Sequence, residues 1–387
     1  MFFLNTIPVV CYSDPWNISL QQRLKMLATG KKKVAYFYEQ ADYGTFRYRA
    51  YNMAQVLNAS GEDIGISASY FFLSDLAYLN EIADLADVLV ICRSRYDNRI
   101  NHLITAFKKR RKKILFDVDD LIFNVDWLQL ILTTIDQPLN EDVFNFWFAY
   151  CARVGATLKQ CNGAITTNSF LAEQIQDFAN LPTAIVPNFL NQEQLDISTQ
   201  IFAAKKNLSP AQDGFIHIGY FSGTSSHNKD FALVVPAFEM LLEEIPNLCV
   251  VIAGYIQADS LVARFGDRVK YLPFTDFINL QRLIGSVEFN IAPLQYNVFT
   301  NCKSELKYFE AAIVGTPTIA SPTFTFSQAI RHQDNGYIAQ AHQWYSTIKQ
   351  AVNDIDDYQK MADRSHAHAQ DYYAWYNQKQ VIIKALM

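Results

Sequence analysis

From Lys31 onward, short apolar runs rich in β-branched and aromatic residues alternate with longer stretches of helical period. This is the pattern of a parallel sheet flanked by helices. The runs predict strands at Val34 to Tyr38, Ile64 to Tyr70, Val88 to Cys92, Ile114 to Phe116, Ala164 to Thr166 and Ala184 to Val186. Helices are predicted between them at Arg47 to Asn58, Ser74 to Leu85 and Glu141 to Gln160. The alternation pauses at Asn191 to Gly214, where Asn, Gln, Ser and Pro replace periodic hydrophobics as in a linker. It resumes with strands at Phe215 to Phe221, Cys249 to Ala253, Val269 to Leu272, Phe289 to Ala292 and Thr318 to Ala320, and from Ala341 the chain reads as helix alone. The expected organisation is an N-terminal segment over 1–30, a first domain over 31–195, a linker over 196–213, a second domain over 214–340 and C-terminal helices over 341–387. The fold class is α/β, two doubly wound Rossmann-like domains facing across a cleft, with the helical tail packing back on the first. Ligands bind such folds beyond the carboxyl ends of the strands, which directs attention to that cleft.

Composition narrows the classes. At 18% charged and 50% hydrophobic residues, the chain is too apolar for extended disorder. A net charge of -5 does not suit wholesale wrapping of nucleic acid, so no nucleic-acid partner is expected. Cys11, Cys92, Cys151, Cys161, Cys249 and Cys302 are scattered without a CxxC pair or a Cys/His cluster, so neither a disulfide framework nor a zinc site is predicted. That usage fits a reducing cytosol. No apolar run approaches the ~18 residues a spanning helix needs. The apolar opening, Met1 to Trp16, lacks the basic start and cleavage pattern of a secretory signal and reads as a structured or docking segment.

The segment Asn301 to Pro317 carries the most chemistry. It reads as one helix with a glycine stop, in which Leu306, Phe309 and Ile313 form an apolar stripe and Glu310 falls inside that stripe. A carboxylate there needs partners, and on this reading Lys303 lies two turns earlier on the same side, roughly 10 Å away. Phosphates near Lys303 and ribose hydroxyls near Glu310 would suit a sugar nucleotide; a half-buried carboxylate paired with a neighbouring arginine is the alternative. The companion segment is Ser222 to Asp230, where small and hydroxyl residues, including Gly223 and Thr224, open a strand-to-helix turn that ends at Lys229. Such turns cradle phosphate through backbone amides or serve simply as helix caps.

On these residues the sequence resembles the bacterial glycosyltransferases of the GT-B fold, in particular the retaining family 4 group (glycosyl transferases group 1). The resemblance covers nearly the whole chain. It rests on Gly219 to Asp230 as a phosphate loop, Val251 to Gly254 as the next strand, Lys303 to Pro317 as the donor helix and Ile185-Val-Pro-Asn188 before the linker. It implies that Glu310 holds ribose and that Lys229 and Lys303 bind the diphosphate. Asn301 and Ser304 join them on the donor side, and Phe274, in Leu272-Pro-Phe274, contacts the base. Cys302 stands where the family often carries another glutamate, eight positions before Glu310. The donor is a nucleotide diphosphate sugar, and no cofactor or metal is implied.

In the first domain, Glu39 to Arg49 forms a polar, glycine-containing loop that runs into a helix with two arginines. The resemblance implies that Tyr43, Gly44 and one arginine line the acceptor side. Arg47 and Arg49 diverge by roughly 200° on a helix, so at most one faces the cleft, and Arg47 is assigned that role. Asp117, Asp119 and Asp120 end an inner strand. Asp119 and Asp120 are read as groups that orient the acceptor, one of them a base for its hydroxyl. A metal-dependent transferase using all three carboxylates is a rival reading. The basic run Lys108 to Lys113 either complements a helix end or steers the protein to an anionic membrane surface.

The expected function is transfer of a glycosyl group from a nucleotide diphosphate sugar to a hydroxyl of a saccharide or lipid-linked glycan. It would be retaining and metal-independent, serve cell-surface polysaccharide synthesis, and take place in the cytoplasm or at the inner face of the membrane. Asp119, Asp120, Arg47, Lys229 and Lys303 are its expected catalytic groups. The alternative is a noncatalytic sugar-nucleotide-binding subunit of a transferase complex.

Overall fold

The structure is a computed structural model that describes residues 1–59 and 65–387. Two six-stranded, wholly parallel sheets form its frame. The first contains β1 (Lys32–Phe37), β2 (Ile66–Phe71), β3 (Val88–Cys92), β4 (Lys113–Asp117), β5 (Gly163–Thr166) and β6 (Thr183–Ile185), in the order β2-β1-β3-β4-β5-β6. The second contains β7 (Ile216–Ser222), β8 (Leu248–Gly254), β9 (Val269–Leu272), β10 (Phe289–Ala292), β11 (Thr318–Ala320) and β12 (Gly336–Ile338), in the order β12-β11-β10-β7-β8-β9. Inner strands such as β3, β7 and β10 are buried along their whole length, as strands covered by helices on both faces must be. Ile64, the expected start of the second strand, lies outside the described residues.

One strand escaped the sequence pattern. β12 has only three residues, follows Asp334-Asn335 and opens on Gly336 without a β-branched run, so nothing in its composition separates it from a turn.

The expected irregular linker is largely a helix, Gln192–Lys205, capped by Asn191 through the Gln194 N–H at 2.8 Å. Among its buried positions, Leu195, Ser198, Ile201 and Lys205 follow a helical spacing masked by two polar members. Both are satisfied inside the protein. Ser198 donates to Gln281 Oε1 at 3.0 Å, and Lys205 Nζ donates to Thr316 Oγ1 at 2.6 Å beside the rings of Phe2 and Tyr358.

The first and last segments cross between the domains. Phe2, Leu4 and Ile7 are buried, with Phe2 N–H donating to Ser286 O at 2.8 Å in the second domain, whereas helix Leu20–Ala28 packs on β2. At the other end, helix Lys379–Leu386 packs against helix Asn52–Asn58 and β6. The basic run is partly consumed at helix ends: Lys112 Nζ donates to Ala83 O and Asp84 O at 2.6 and 2.8 Å, and Arg110 pairs with Asp84 at 2.6 Å. No helix among the described residues is long and apolar enough to cross a membrane.

Candidate functional site

Strand order reverses between β1 and β3 in one sheet and between β7 and β10 in the other. Loops leaving β1, β4 and β7 at their carboxyl ends wall a cavity of about 440 Å³ between the domains. A second lobe of about 240 Å³ shares Asp119, Asn188, Gly223, Thr224, Leu306 and Lys307 with it and adds Asp120, His227, Lys303 and Ser304. The combined space falls in the ~300–1,000 Å³ range of small-molecule sites. Gly254, with φ of 100° at the end of β8, sets its floor: a Cβ there would sit 1.8 Å from the Ser222 carbonyl oxygen. A side chain at this position would push the two strand ends apart.

Glu310 is 4% exposed yet lines the cavity. Its Oε1 accepts three hydrogen bonds: from Arg47 Nη2 at 3.2 Å, Tyr48 OH at 2.5 Å and Gln194 Nε2 at 3.1 Å. Among the described residues, no side chain donates to Oε2. The paired-carboxylate reading and the ligand reading thus hold together: one oxygen is fixed by the first domain and the interdomain helix, and the group still borders the cleft. Arg47 and Tyr48 reach it from a π-helical turn, Arg47–Tyr51, that opens the expected helix. This wide turn lets two consecutive side chains approach the same oxygen. Burial raises the Tyr48 hydroxyl's pKa, which keeps it a donor.

Arg47 also lines the cavity, whereas Arg49 is fully buried in a bidentate pair with Asp117 at 2.7 and 3.0 Å. Burial pushes Asp117 up to about 6 against the pull of Arg49. The remaining Arg49 nitrogen donates to Val186 O and Asn188 Oδ1, and Asn188 Nδ2 passes the network to Ser304 Oγ at 3.0 Å in the second lobe.

The expected single donor helix is two short helices, Val298–Asn301 and Leu306–Ala312, separated by a turn. Side chains remote in sequence divert the carbonyls that would continue the ladder: Asn168 Nδ2 donates to Cys302 O and Thr325 Oγ1 to Lys303 O, each at 2.9 Å. Lys303 therefore projects from the turn, 3.1 Å from Asp120 Oδ2, and lines the second lobe. Asn301 is turned away from the cleft; its Oδ1 accepts from Phe324 N–H at 2.8 Å, at the start of helix Phe324–Ala329. Cys302 is completely buried among first-domain side chains, and burial drives its pKa upward.

Lys229 does not reach either lobe. Its ammonium crosses to the first domain, donating to Thr133 O at 2.9 Å and lying 3.3 Å from Asp136 Oδ1. Lys307, which the sequence reading passed over, lines both lobes. It donates to the Phe221 carbonyl and, among the described residues, makes no ion pair. Burial lowers its pKa to about 8; Glu310 and Asp230 oppose that shift and Lys303 adds to it. The available signal was its position, four residues after Lys303 and three before Glu310.

The remaining groups sit as follows. Gly223 and Thr224 line both lobes, and Ser222 Oγ donates to the Thr224 carbonyl at 2.8 Å to hold the turn. His227, also overlooked, sits in the second lobe at 2.8 Å from Asp230 Oδ2, and burial lowers its pKa. Phe274 is exposed at the rim and stacks on Tyr255 with ring centroids 5.8 Å apart. Tyr43 and Gly44 line the opposite wall. Asp119 borders both lobes, accepting from Thr45 Oγ1 at 3.1 Å and Arg93 Nη1 at 3.4 Å.

The three aspartates thus face three different cations: Arg49, Arg93 and Lys303. Among the described residues, no group of three or more His, Cys, Asp or Glu side chains could hold a metal ion.

Comparisons with known proteins bear on the fold and on the second domain. Residues 216–355 match a sequence family described as glycosyl transferases group 1. No curated protein matches the chain by sequence. In structure it is similar to Alr3699/HepE from Anabaena, solved in complex with UDP: TM-score 0.61, 13% identity, covering 92% of this chain and 99% of that one. It is similar to sucrose-phosphate synthase (tll1590) from Thermosynechococcus elongatus, with TM-score 0.59 and 14% identity over 92% of this chain and 97% of that one. It also resembles WaaG, a glycosyltransferase involved in lipopolysaccharide biosynthesis, with TM-score 0.58 and 11% identity over 91% and 99% of the two chains.

Proposed function

We propose that this chain, which carries a glycosyl transferases group 1 domain on a GT-B scaffold, moves a glycosyl group from a nucleoside diphosphate sugar to a hydroxyl of a saccharide or lipid-linked saccharide. The observation that carries this reading is Lys307. A cation without a carboxylate partner stands in the cleft within one helical turn of Glu310, so one end of the site favours an anion and the other favours hydroxyls. A nucleoside diphosphate has both. UDP is the first nucleotide to test, because HepE was solved with UDP and with UDP-glucose.

In this assignment Glu310 holds the ribose, and Lys307, Lys303 and the Gly223-Thr224 turn hold the diphosphate. Phe274 and Tyr255 at the rim offer the base a stacking face. Departure of the diphosphate builds negative charge beside Lys307 and Lys303. Charge already fixed in place stabilises that transition state without reorganisation. The acceptor enters along Tyr43, Gly44 and Asp119, with Asp119 orienting its hydroxyl, and the leaving phosphate itself takes the proton in a retaining transfer on one face. Neutralisation by lysines makes the reaction independent of a divalent metal. A lipid-linked acceptor would place the protein at the inner face of a membrane, in cell-surface polysaccharide synthesis.

The test is incubation with UDP-, GDP-, ADP- and dTDP-sugars and an acceptor extract, following nucleotide release and the added mass of one sugar on the acceptor. Donor binding without transfer to any acceptor would instead support the accessory-subunit reading. Failure to bind any of the four would overturn the site assignment.

A further inference from the structure

The segment that reads as a linker places one uncharged side chain directly behind the cleft wall, against Arg47 and Glu310. Gln194 lies in the first turn of helix Gln192–Lys205 and is completely buried. Its backbone N–H is bound by Asn191 Oδ1 at 2.8 Å, and Asn191 Nδ2 donates to Asn52 Oδ1 at 3.1 Å, which ties this turn to the first domain. Asn52 in turn donates to Phe189 O at 2.9 Å. The Gln194 amide then faces two opposite charges. Its Oε1 accepts from Arg47 Nη1 at 3.2 Å, and its Nε2 donates to Glu310 Oε1 at 3.1 Å.

A primary amide suits this place because it offers an acceptor to a cation and a donor to an anion at once. The two charged partners also fix which end is oxygen and which nitrogen. Arg47 belongs to the first domain and Glu310 to the second, so the amide spans the junction whose spacing defines the cleft. A charged or apolar side chain of similar size would remove at least one of these two contacts, leaving the carboxylate held only by the direct bonds from Arg47 and Tyr48.

We propose that Gln194 is a positioning residue: it holds Glu310 Oε1 in register with the Arg47 guanidinium, so that Glu310 presents Oε2 to the ribose hydroxyls of a nucleoside diphosphate. This rests on the reading of the cleft as a nucleotide-sugar site. It assigns to the interdomain helix a part in donor recognition beyond joining two domains.

The probe is UDP, titrated calorimetrically into the full-length protein and into Gln194→Met and Gln194→Glu, with melting temperatures measured at the same pH values. Gln194→Met keeps the volume and removes both polar contacts; UDP affinity is expected to fall by about tenfold or more, the scale for hydrogen bonds to charged groups. Gln194→Glu places a second carboxylate against Glu310. The titratable and charged groups facing it are Arg47 and Tyr48 from the first domain and Glu310 from the second, with Lys307 one turn before Glu310. Protonated, the new side chain again donates to Glu310 and accepts from Arg47. Its affinity relative to wild type is therefore poor at pH 7 and rises as the pH falls toward 5.5, a range below the Lys307 pKa of about 8 in which that lysine stays charged in both proteins.

UDP affinities within twofold of wild type for both variants at every pH would overturn the proposal, as would losses that simply track the melting temperatures. If the unaltered protein bound none of UDP, GDP, ADP and dTDP, the underlying site reading would fail first and the role of Gln194 with it.

Discussion

Lys307 gives the cleft a pH response whose size follows from its surroundings. An ordinary lysine loses its proton near 10.4 and stays charged throughout the neutral range. Burial between the Phe221 carbonyl and the cavity wall brings Lys307 down to about 8. A group with that pKa is about 90% protonated at pH 7 and about 10% at pH 9, so affinity for a ligand that needs the ammonium falls roughly tenfold between them. The sign is fixed because binding a diphosphate favours the charged form, so binding takes up a proton above pH 8. The terminal phosphate of UDP, with a second pKa of about 6, is already ionised across this range. Calorimetric titration of UDP at pH 7, 8 and 9 and constant ionic strength measures the slope. Lys307→Arg keeps its charge at every pH tested and should flatten it. Proton loss from the uracil ring near the top of the range is common to both proteins and cancels in their ratio. The same decline in Lys307→Arg, or no decline in the wild type, would refute the assignment of the diphosphate to this lysine.

Other substitutions separate the roles of the site residues. Glu310→Gln should lower kcat/KM for the donor by about 10- to 100-fold, the scale of a lost charge-assisted hydrogen bond, with the circular dichroism spectrum preserved. Lys229→Ala should change UDP affinity by no more than about twofold, because its ammonium serves an exposed pair with Asp136; a tenfold loss would return it to the site. Asp117→Asn strands the buried Arg49 guanidinium and should cost about 3–5 kcal/mol of stability, read from the urea midpoint at pH 7.5. Dialysis against EDTA should leave glycosyl transfer intact, and a loss restored by Mg²⁺ or Mn²⁺ would contradict the lysine-based neutralisation.

Much of the frame was legible because a parallel sheet buried on both faces must be written as apolar runs; Val88–Cys92 and Phe289–Ala292 appear in the sequence with the bounds they have in the structure. The interdomain helix was not, because Ser198 and Lys205 occupy core-facing positions and are satisfied by Gln281 and Thr316, partners far along the chain. In the site, Glu310 announced itself as a carboxylate inside an apolar stripe. The choice among nearby lysines could not be made from spacing. It depends on Asn168 and Thr325 breaking the helix at Cys302 and Lys303, and on Thr133 and Asp136 drawing Lys229 across to the other domain. Thr325 meets Lys303 only once the second domain has folded, and the other partners meet only across the two domains.

Whether Glu310 and Lys307 together read a nucleoside diphosphate is decided by a crystal structure of the protein with UDP. The expected density has ribose hydroxyls within hydrogen-bonding distance of Glu310 and the diphosphate against Lys307 and the Gly223-Thr224 turn. UDP bound elsewhere, with Glu310 still engaged only by Arg47, Tyr48 and Gln194, would contradict it.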